Sequence, residues 1–412
     1  MSTSAATTAA SSPESGRRYI AGRQILALDG VRGIAVLIVL FHHLQYVIPN
    51  ASTGWSILKA GFNMGWTGVD LFFVLSGFLI TGILLDTRPA NNYFRSFYAR
   101  RILRIFPLYY AVLSGIMLVN LLAGNAWLRS VLPPPSDQKF YFVFLNNWWL
   151  LLDGKSHANI IGHFWSLAVE EQFYLMWSVC VWLVPPRRLW KFCVVTFFAL
   201  FVLRLGILSR SGPSQHLLEN TFMRMDTLLA GSACAILVRH GDLLAKIEPW
   251  LGILAGASFI GMEAILVRAG EIFRASVYTE SVGFSLIAVG YSTLVLYAYR
   301  GRNPLSILQR ALRSKFLTRF GKYSYGIYVY HVPVLMIADA VLRPAFPAIF
   351  RSPWTALLYV FAVVGVSFLI AQISYEFFER RFLAYKNRFE PRYTPDPETI
   401  RIGERASAAA EL

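Results

Sequence analysis

Charged residues are scarce in this sequence. Asp, Glu, Lys and Arg make up 15% of its 412 residues, against 56% hydrophobic residues, and the mean hydropathy is +0.48. A soluble globular chain carries about 25% charged residues, so the shortage argues against a soluble enzyme, and the apolar excess argues against a disordered chain. Acidic residues are the scarcest: 23 Asp and Glu stand against 39 Lys and Arg, a net charge of +16. In so apolar a chain this imbalance does not call for a nucleic-acid partner, because membrane proteins place Lys and Arg for topological reasons. Cysteine is nearly missing. Cys180, Cys193 and Cys234 sit in apolar runs with no Cys-x-x-Cys pair, which supports neither a disulfide framework nor a metal site and leaves buried packing. Residues 1–24, rich in Ser, Ala and Thr and ending in Arg17, Arg18 and Arg23, hold no apolar core of a signal peptide. They read as a disordered tail ahead of a signal anchor. No internal repeat and no soluble domain follow.

What is there is a series of apolar stretches of about 20 residues, the length a helix needs to cross about 30 Å of hydrocarbon. Ten are expected, near 25–47, 65–85, 105–123, 166–184, 190–208, 223–239, 250–267, 277–298, 321–342 and 354–378. The fold class is therefore all-α: a polytopic membrane bundle over residues 25–380, with a short C-terminal tail over 381–412. The long loop, 124–165, holds Pro133-Pro134-Pro135 and an aromatic run from Phe140 to Trp149, which suits an interfacial or re-entrant segment. Alternate loops carry 26 Lys and Arg on the N-terminal side and 10 on the other. That bias predicts that both termini are cytoplasmic, and it accounts for most of the net charge.

Ionisable groups inside such stretches are expensive and mark function by default. In the first, Arg32 and His43 lie eleven residues apart, three helical turns plus about 20°, and so share a face about 16 Å apart along the axis. His42 points about 100° away. Asp70 in the second stretch is expected at the depth of His43, where a carboxylate would orient or charge an imidazole; a helix N-cap is the alternative. Ser76-Gly77 reads as a close-packing point. Arg100, Arg101 and Arg104 cluster at i,i+3 and i,i+4 spacing on one helical side. They suit phosphates bidentately, or they are ordinary positive-inside charge. His163, Trp165, Glu170 and Glu171 open the fourth stretch, with His163 and Glu170 two turns apart on one face. The two carboxylates are expected near the outer surface, as cavity-lining groups or as part of a buried ion pair. Tyr328 and His331 lie one turn apart near the middle of the ninth, beside Pro333, which permits a kink.

Together these stretches resemble the membrane acyltransferase-3 family. The resemblance rests on Asp29-Gly30-Val31-Arg32-Gly33 through His43, Gly68-Val69-Asp70-Leu71-Phe72-Phe73, Arg101-Ile102-Leu103-Arg104-Ile105-Phe106-Pro107, Phe164-Trp165-Ser166-Leu167-Ala168-Val169-Glu170-Glu171-Gln172-Phe173-Tyr174 and Tyr323-Ser324-Tyr325-Gly326 through His331. It implies ten core helices in a bacterial inner membrane and an O-acyltransferase that modifies extracytoplasmic glycans. It carries the family's essential histidine onto His43 and the donor-associated Arg-x-x-Arg element onto Arg101 and Arg104. The implied donor is acetyl-CoA or another acyl-CoA, lined by Arg32, Arg100, Arg101 and Arg104, with no metal. The implied acceptor is a glycan hydroxyl near His43, Asp70, Glu170 and Glu171, with His163, Trp165, Tyr328 and His331 as substrate contacts and His43 as general base or transient acyl carrier. Some members add an extracytoplasmic esterase-like domain. With about 30 residues after the last stretch, this chain is expected to lack one. Membrane lipids are the other expected partner, and nucleic acid is not. The rival reading is a transporter or flippase whose intramembrane Arg, His and Glu form a substrate or proton path.

Overall fold

In hydrocarbon every backbone N–H and C=O must be satisfied by the protein itself, and helices meet that requirement within each segment wherever the apolar stretches run. The computed structural model describes residues 24–123, 126–153, 159–213, 215–269, 276–301 and 305–394, with no strand among them. The expected N-terminal tail lies outside the described residues, as does the C-terminal chain beyond 394. Each of the ten expected stretches is helical: α1 (Leu26–Leu44), α2 (Gly68–Thr87), α3 (Tyr93–Ala123), α4 (Trp165–Leu183), α5 (Pro186–Ser211), α6 (Thr221–Leu237), α7 (Leu251–Ala269), α8 (Phe284–Arg300), α9 (Lys315–Ala345) and α10 (Pro353–Ser374). Among the described residues eight helical stretches are long and apolar enough to cross a membrane. The two that fall short are α4 and α6. α4 carries Glu170 and Glu171, while α6 is 17 residues long and carries Arg224 and Asp226. α6 is buried along most of its length, Arg224 and Asp226 included, whereas α4 leaves Leu175, Val179 and Trp182 exposed and turns Glu170 and Glu171 toward the bundle. The chain is a multi-pass helical membrane bundle.

Small residues set the central crossings. α1 packs along α9 and α2, and α2 along α6. A Cβ on Gly77 would lie 1.9 Å from the Leu228 carbonyl oxygen, and one on Gly231 1.9 Å from that of Val74. Backbone therefore meets backbone where α2 crosses α6, as small residues allow in membrane bundles. Thr81 donates to Ser232 across the same crossing at 2.8 Å.

The long loop folds back as three short helices, Ala126–Val131, Pro135–Phe142 and Asn146–Asp153, and ends in a 3₁₀ turn at Gly162–Phe164. Gln172 on α4 fastens it: its Nε2 donates to the Phe144 carbonyl at 2.6 Å and to Asn147 Oδ1 at 2.9 Å, and its Oε1 accepts from Trp148 Nε1 at 2.9 Å. The 3₁₀ turn is held separately: the Ile160 N–H donates to the Val131 carbonyl at 2.8 Å, and Tyr328 on α9 donates to the His163 carbonyl at 2.9 Å.

The C-terminal tail expected from 381 is docked as far as 394. A π turn at Tyr375–Glu379 leads into helix Arg380–Ala384 and a 3₁₀ turn, Tyr385–Phe389. The start of α3 then holds the chain: Ser96 donates to the Phe389 carbonyl, Asn92 Nδ2 to that of Glu390 and the Asn91 N–H to that of Arg392, all within 2.9 Å. Its polar side chains and free backbone groups find partners there, which a solvated tail would not need.

Candidate active site

A cleft with a cavity volume of about 100 Å³ opens between α1, α2, α3, α4 and α9. Arg32, Arg101, Arg104, Glu170, Glu171 and Tyr174 give it its polar wall, and Ser166, Ser324, Tyr325 and Tyr328 lie along the rest. Arg101 and Arg104 stand eight and eleven residues into α3, about 12 and 16 Å along its axis. That depth carries the guanidinia well inside the helix bundle. Arg32 pairs with Asp29 at 3.0 Å, and the Arg101 guanidinium lies 4.7 Å from the centre of the Tyr174 ring. Glu170 accepts from Ser76 at 2.6 Å and from Tyr174 at 3.0 Å. Glu171 Oε1 is buried with no hydrogen-bond partner among the described residues.

At the end of the bundle where α1 finishes, three imidazoles pack edge to face. The His331 ring centre lies 4.9 Å from that of His43 and 4.8 Å from that of His163, and His42 lies 5.3 Å from His43. His43 Nδ1 lies 3.0 Å from the Val39 carbonyl oxygen and His331 Nδ1 2.6 Å from that of Tyr328. A carbonyl only accepts, so each Nδ1 carries the proton and each Nε2 presents a lone pair when its ring is neutral. His331 Nε2 and both ring nitrogens of His163 are buried without hydrogen-bond partners among the described residues. The helix runs unbroken through Pro333, whose missing N–H leaves the Val329 carbonyl without its usual helical donor. His42 is turned aside, with Nδ1 donating to the Asn63 carbonyl at 2.8 Å. Among the described residues no His, Cys, Asp or Glu group is disposed to hold a metal.

The structure redistributes the residues singled out from the sequence. Arg32, Arg101, Arg104, Glu170, Glu171 and Tyr328 come together in the cleft, while Arg100, half-buried, does not line it. The two carboxylates, expected as cavity-lining groups or as part of a buried ion pair, line the cleft together with Arg32, Arg101 and Arg104. Asp70, expected to orient His43, is fully buried and binds Arg224, Nη2 to Oδ1 at 2.7 Å. Trp165, expected as a substrate contact, packs 5.7 Å from the same guanidinium. Sequence reasoning missed Arg224 and the second buried pair, Arg204–Asp226 at 2.7 Å, although intramembrane charge was the signal available for both. It also missed Ser166 and the anchoring by Ser76 and Tyr174, which had no signal beyond their types.

An acyltransferase-domain family model matches residues 25–372. The chain is 29% identical over 385 residues to the peptidoglycan O-acetyltransferase OatA of Listeria monocytogenes, covering 87% of this chain and 55% of that protein. It is 29% identical to the putative peptidoglycan O-acetyltransferase YrhL of Bacillus subtilis, covering 88% and 55%. With the O-acetyltransferase OatA of Staphylococcus aureus it shares 27% identity, covering 88% and 57%. The chain thus spans about half the length of the curated relatives it matches. No solved structure matches it.

Proposed function

Since the chain belongs to the acyltransferase family whose model covers most of its length, we propose that it O-acylates a hydroxyl of a cell-envelope glycan, peptidoglycan being the acceptor named for its relatives. The donor is acetyl-CoA or another acyl-CoA, entering the cleft from the cytoplasmic side. Arg101 and Arg104, with Arg32 beside them, bind its phosphates; charge-assisted guanidinium–phosphate bonds are strong and bidentate. Glu170 and Glu171 offset those cations while the cleft is empty.

The acceptor hydroxyl is a weak nucleophile near neutral pH and needs a base. His43 is that base or, in a two-step variant, a transient acyl carrier. The observation that carries this reading is the Nδ1 bond of His43 to the Val39 carbonyl, which fixes the tautomer and makes Nε2 the atom that takes the proton. His43 lies in the last turn of α1, where the helix dipole stabilises the imidazolium that forms. His163 and His331 flank the acceptor hydroxyl with their unpartnered nitrogens.

Purified protein in lipid vesicles, given radiolabelled acetyl-CoA and peptidoglycan fragments, tests this. Replacing His43 with Ala should lower transfer by about 10²–10⁴-fold if a general base is lost, while His42→Ala remains active. Label retained on the histidine with donor alone identifies the carrier variant. An active His43→Ala enzyme would sink the assignment.

A further inference from the structure

Acyl transfer from a thioester builds negative charge on the carbonyl oxygen, and donors aimed at that oxygen are commonly the largest single contribution to the rate. The cationic wall of the cleft lies at the phosphate end and cannot serve. We propose that the hydroxyls of Ser166 and Tyr328 form the oxyanion site for the acyl carbonyl. This inference rests on the acyl-transfer reading above.

Both residues line the cleft, and both are almost fully buried, at 4% and 6% exposure. They sit where the cleft meets the histidines. The Tyr328 ring centre is 5.4 Å from that of His163 and 5.4 Å from that of His331, which itself touches His43. The His43 and Tyr328 ring centres are therefore at most about 10 Å apart. A hydroxyl oxygen about 3 Å from its base, with a carbonyl carbon about 3 Å beyond it, falls within that limit. A thioester reaching the end of the cleft meets the Ser166 and Tyr328 hydroxyls that line it.

The hydrogen-bond pattern suits a switch of acceptor. The two hydroxyl oxygens are 2.5 Å apart, and Tyr328 donates to the His163 carbonyl at 2.9 Å, with Ser166 Oγ 3.3 Å from the same oxygen. Two protons are shared among each other and one peptide carbonyl. When charge develops on the acyl oxygen, rotation of one or both O–H bonds exchanges a neutral acceptor for an anionic one. Bonds to a charged acceptor are roughly twice as strong. In the step itself the acceptor oxygen bonds to the acyl carbon as its proton passes to His43 Nε2. The carbonyl π pair moves onto the oxygen held by Ser166 and Tyr328. On collapse the C–S bond breaks, and the thiolate takes the proton from His43, giving ester and free thiol.

The test compares Tyr328→Phe, which keeps the ring against the histidines, with Ser166→Ala and Ser166→Thr in full-length protein in vesicles. It follows kcat for transfer from acetyl-CoA and, separately, acetyl-CoA affinity. Loss of one oxyanion donor is expected to lower kcat by about 10²–10³-fold, leaving acetyl-CoA affinity within about threefold, with Ser166→Thr recovering most of the loss. A kcat within about threefold of wild type in both Tyr328→Phe and Ser166→Ala overturns the assignment. So does a fall in kcat matched by an equal loss of acetyl-CoA affinity, which would make the pair a donor-binding element. Ser166→Ala, a small change, decides the matter if Tyr328→Phe does not fold. His43→Ala is run alongside: full activity there removes the acyl-transfer reading itself, whereas an inactive His43→Ala enzyme with an active hydroxyl pair of variants removes the oxyanion site alone.

Discussion

The Asp70–Arg224 pair offers a worked test of how charge is tolerated inside this bundle. Asp70 is fully buried and Arg224 nearly so. The guanidinium also lies 4.2 Å from the centre of the Phe284 ring and 5.7 Å from those of Phe73 and Trp165. Replacing Arg224 with Met keeps most of the volume but removes the cation bonded to the buried Asp70 carboxylate. Removing one partner of a buried pair costs about 3–5 kcal/mol, a change of about 10²–10³·⁵ in the unfolding equilibrium at 1.4 kcal/mol per tenfold. Pairing Arg224→Met with Asp70→Asn removes the buried carboxylate charge as well. The double variant should therefore regain about 2 kcal/mol relative to Arg224→Met alone, while still lacking the cation–π contribution of about 1–2 kcal/mol. Unfolding in mixed micelles, followed by tryptophan fluorescence, measures all three variants. An Arg224→Met protein within about 1 kcal/mol of wild type, or a double variant as unstable as the sum of the singles, would refute the reasoning. Because Asp70 is read as structural, folded Asp70→Asn should keep acyl transfer.

Three further outcomes are expected. Gly77→Ala should destabilise the bundle, since its Cβ would meet the Leu228 carbonyl, whereas Gly115→Ala, with open space around it, should be neutral or stabilising by up to about 1 kcal/mol; thermal unfolding of the two variants checks the contrast. Arg101→Ala and Arg104→Ala should each weaken acetyl-CoA binding by about 1.5–3 kcal/mol, the range for a hydrogen bond to a charged group, and wild-type affinity in both would reduce the pair to a topology signal. Reporter fusions near Asn50 and near Arg310 should report opposite sides of the membrane; same-side signals would contradict the charge bias.

Much of the architecture was legible before any coordinates. Each of the ten apolar stretches is helical, and eight helical stretches among the described residues are long and apolar enough to span a membrane, since a helix satisfies its own backbone in hydrocarbon. The same logic marked Arg32, His43, Glu170, Glu171, Tyr328 and His331, because polar residues in apolar stretches stand out, while Arg101 and Arg104, ahead of the third stretch, were marked by their helical spacing. Helical spacing separated His42 from His43, and the two rings do find different carbonyl partners.

The one-dimensional pattern carried no information about which polar groups meet. Spacing along α4 put Glu170 two turns from His163 but could not show that α3 brings arginines to the same depth. Asp70 looked like a partner for His43 because both lie near helix ends. Its partner Arg224 is 154 residues away in sequence, on a helix whose approach depends on Gly77 and Gly231. The pairing of Ser166 with Tyr328 and the convergence of His43, His163 and His331 join residues from α1, α4, α9 and the turn before α4. Local composition thus determined the helices and the polar residues on them, since hydrocarbon acts on each segment separately. Their partners were decided only by packing, since a hydrogen bond or ion pair forms only when two helices bring donor and acceptor within about 3 Å.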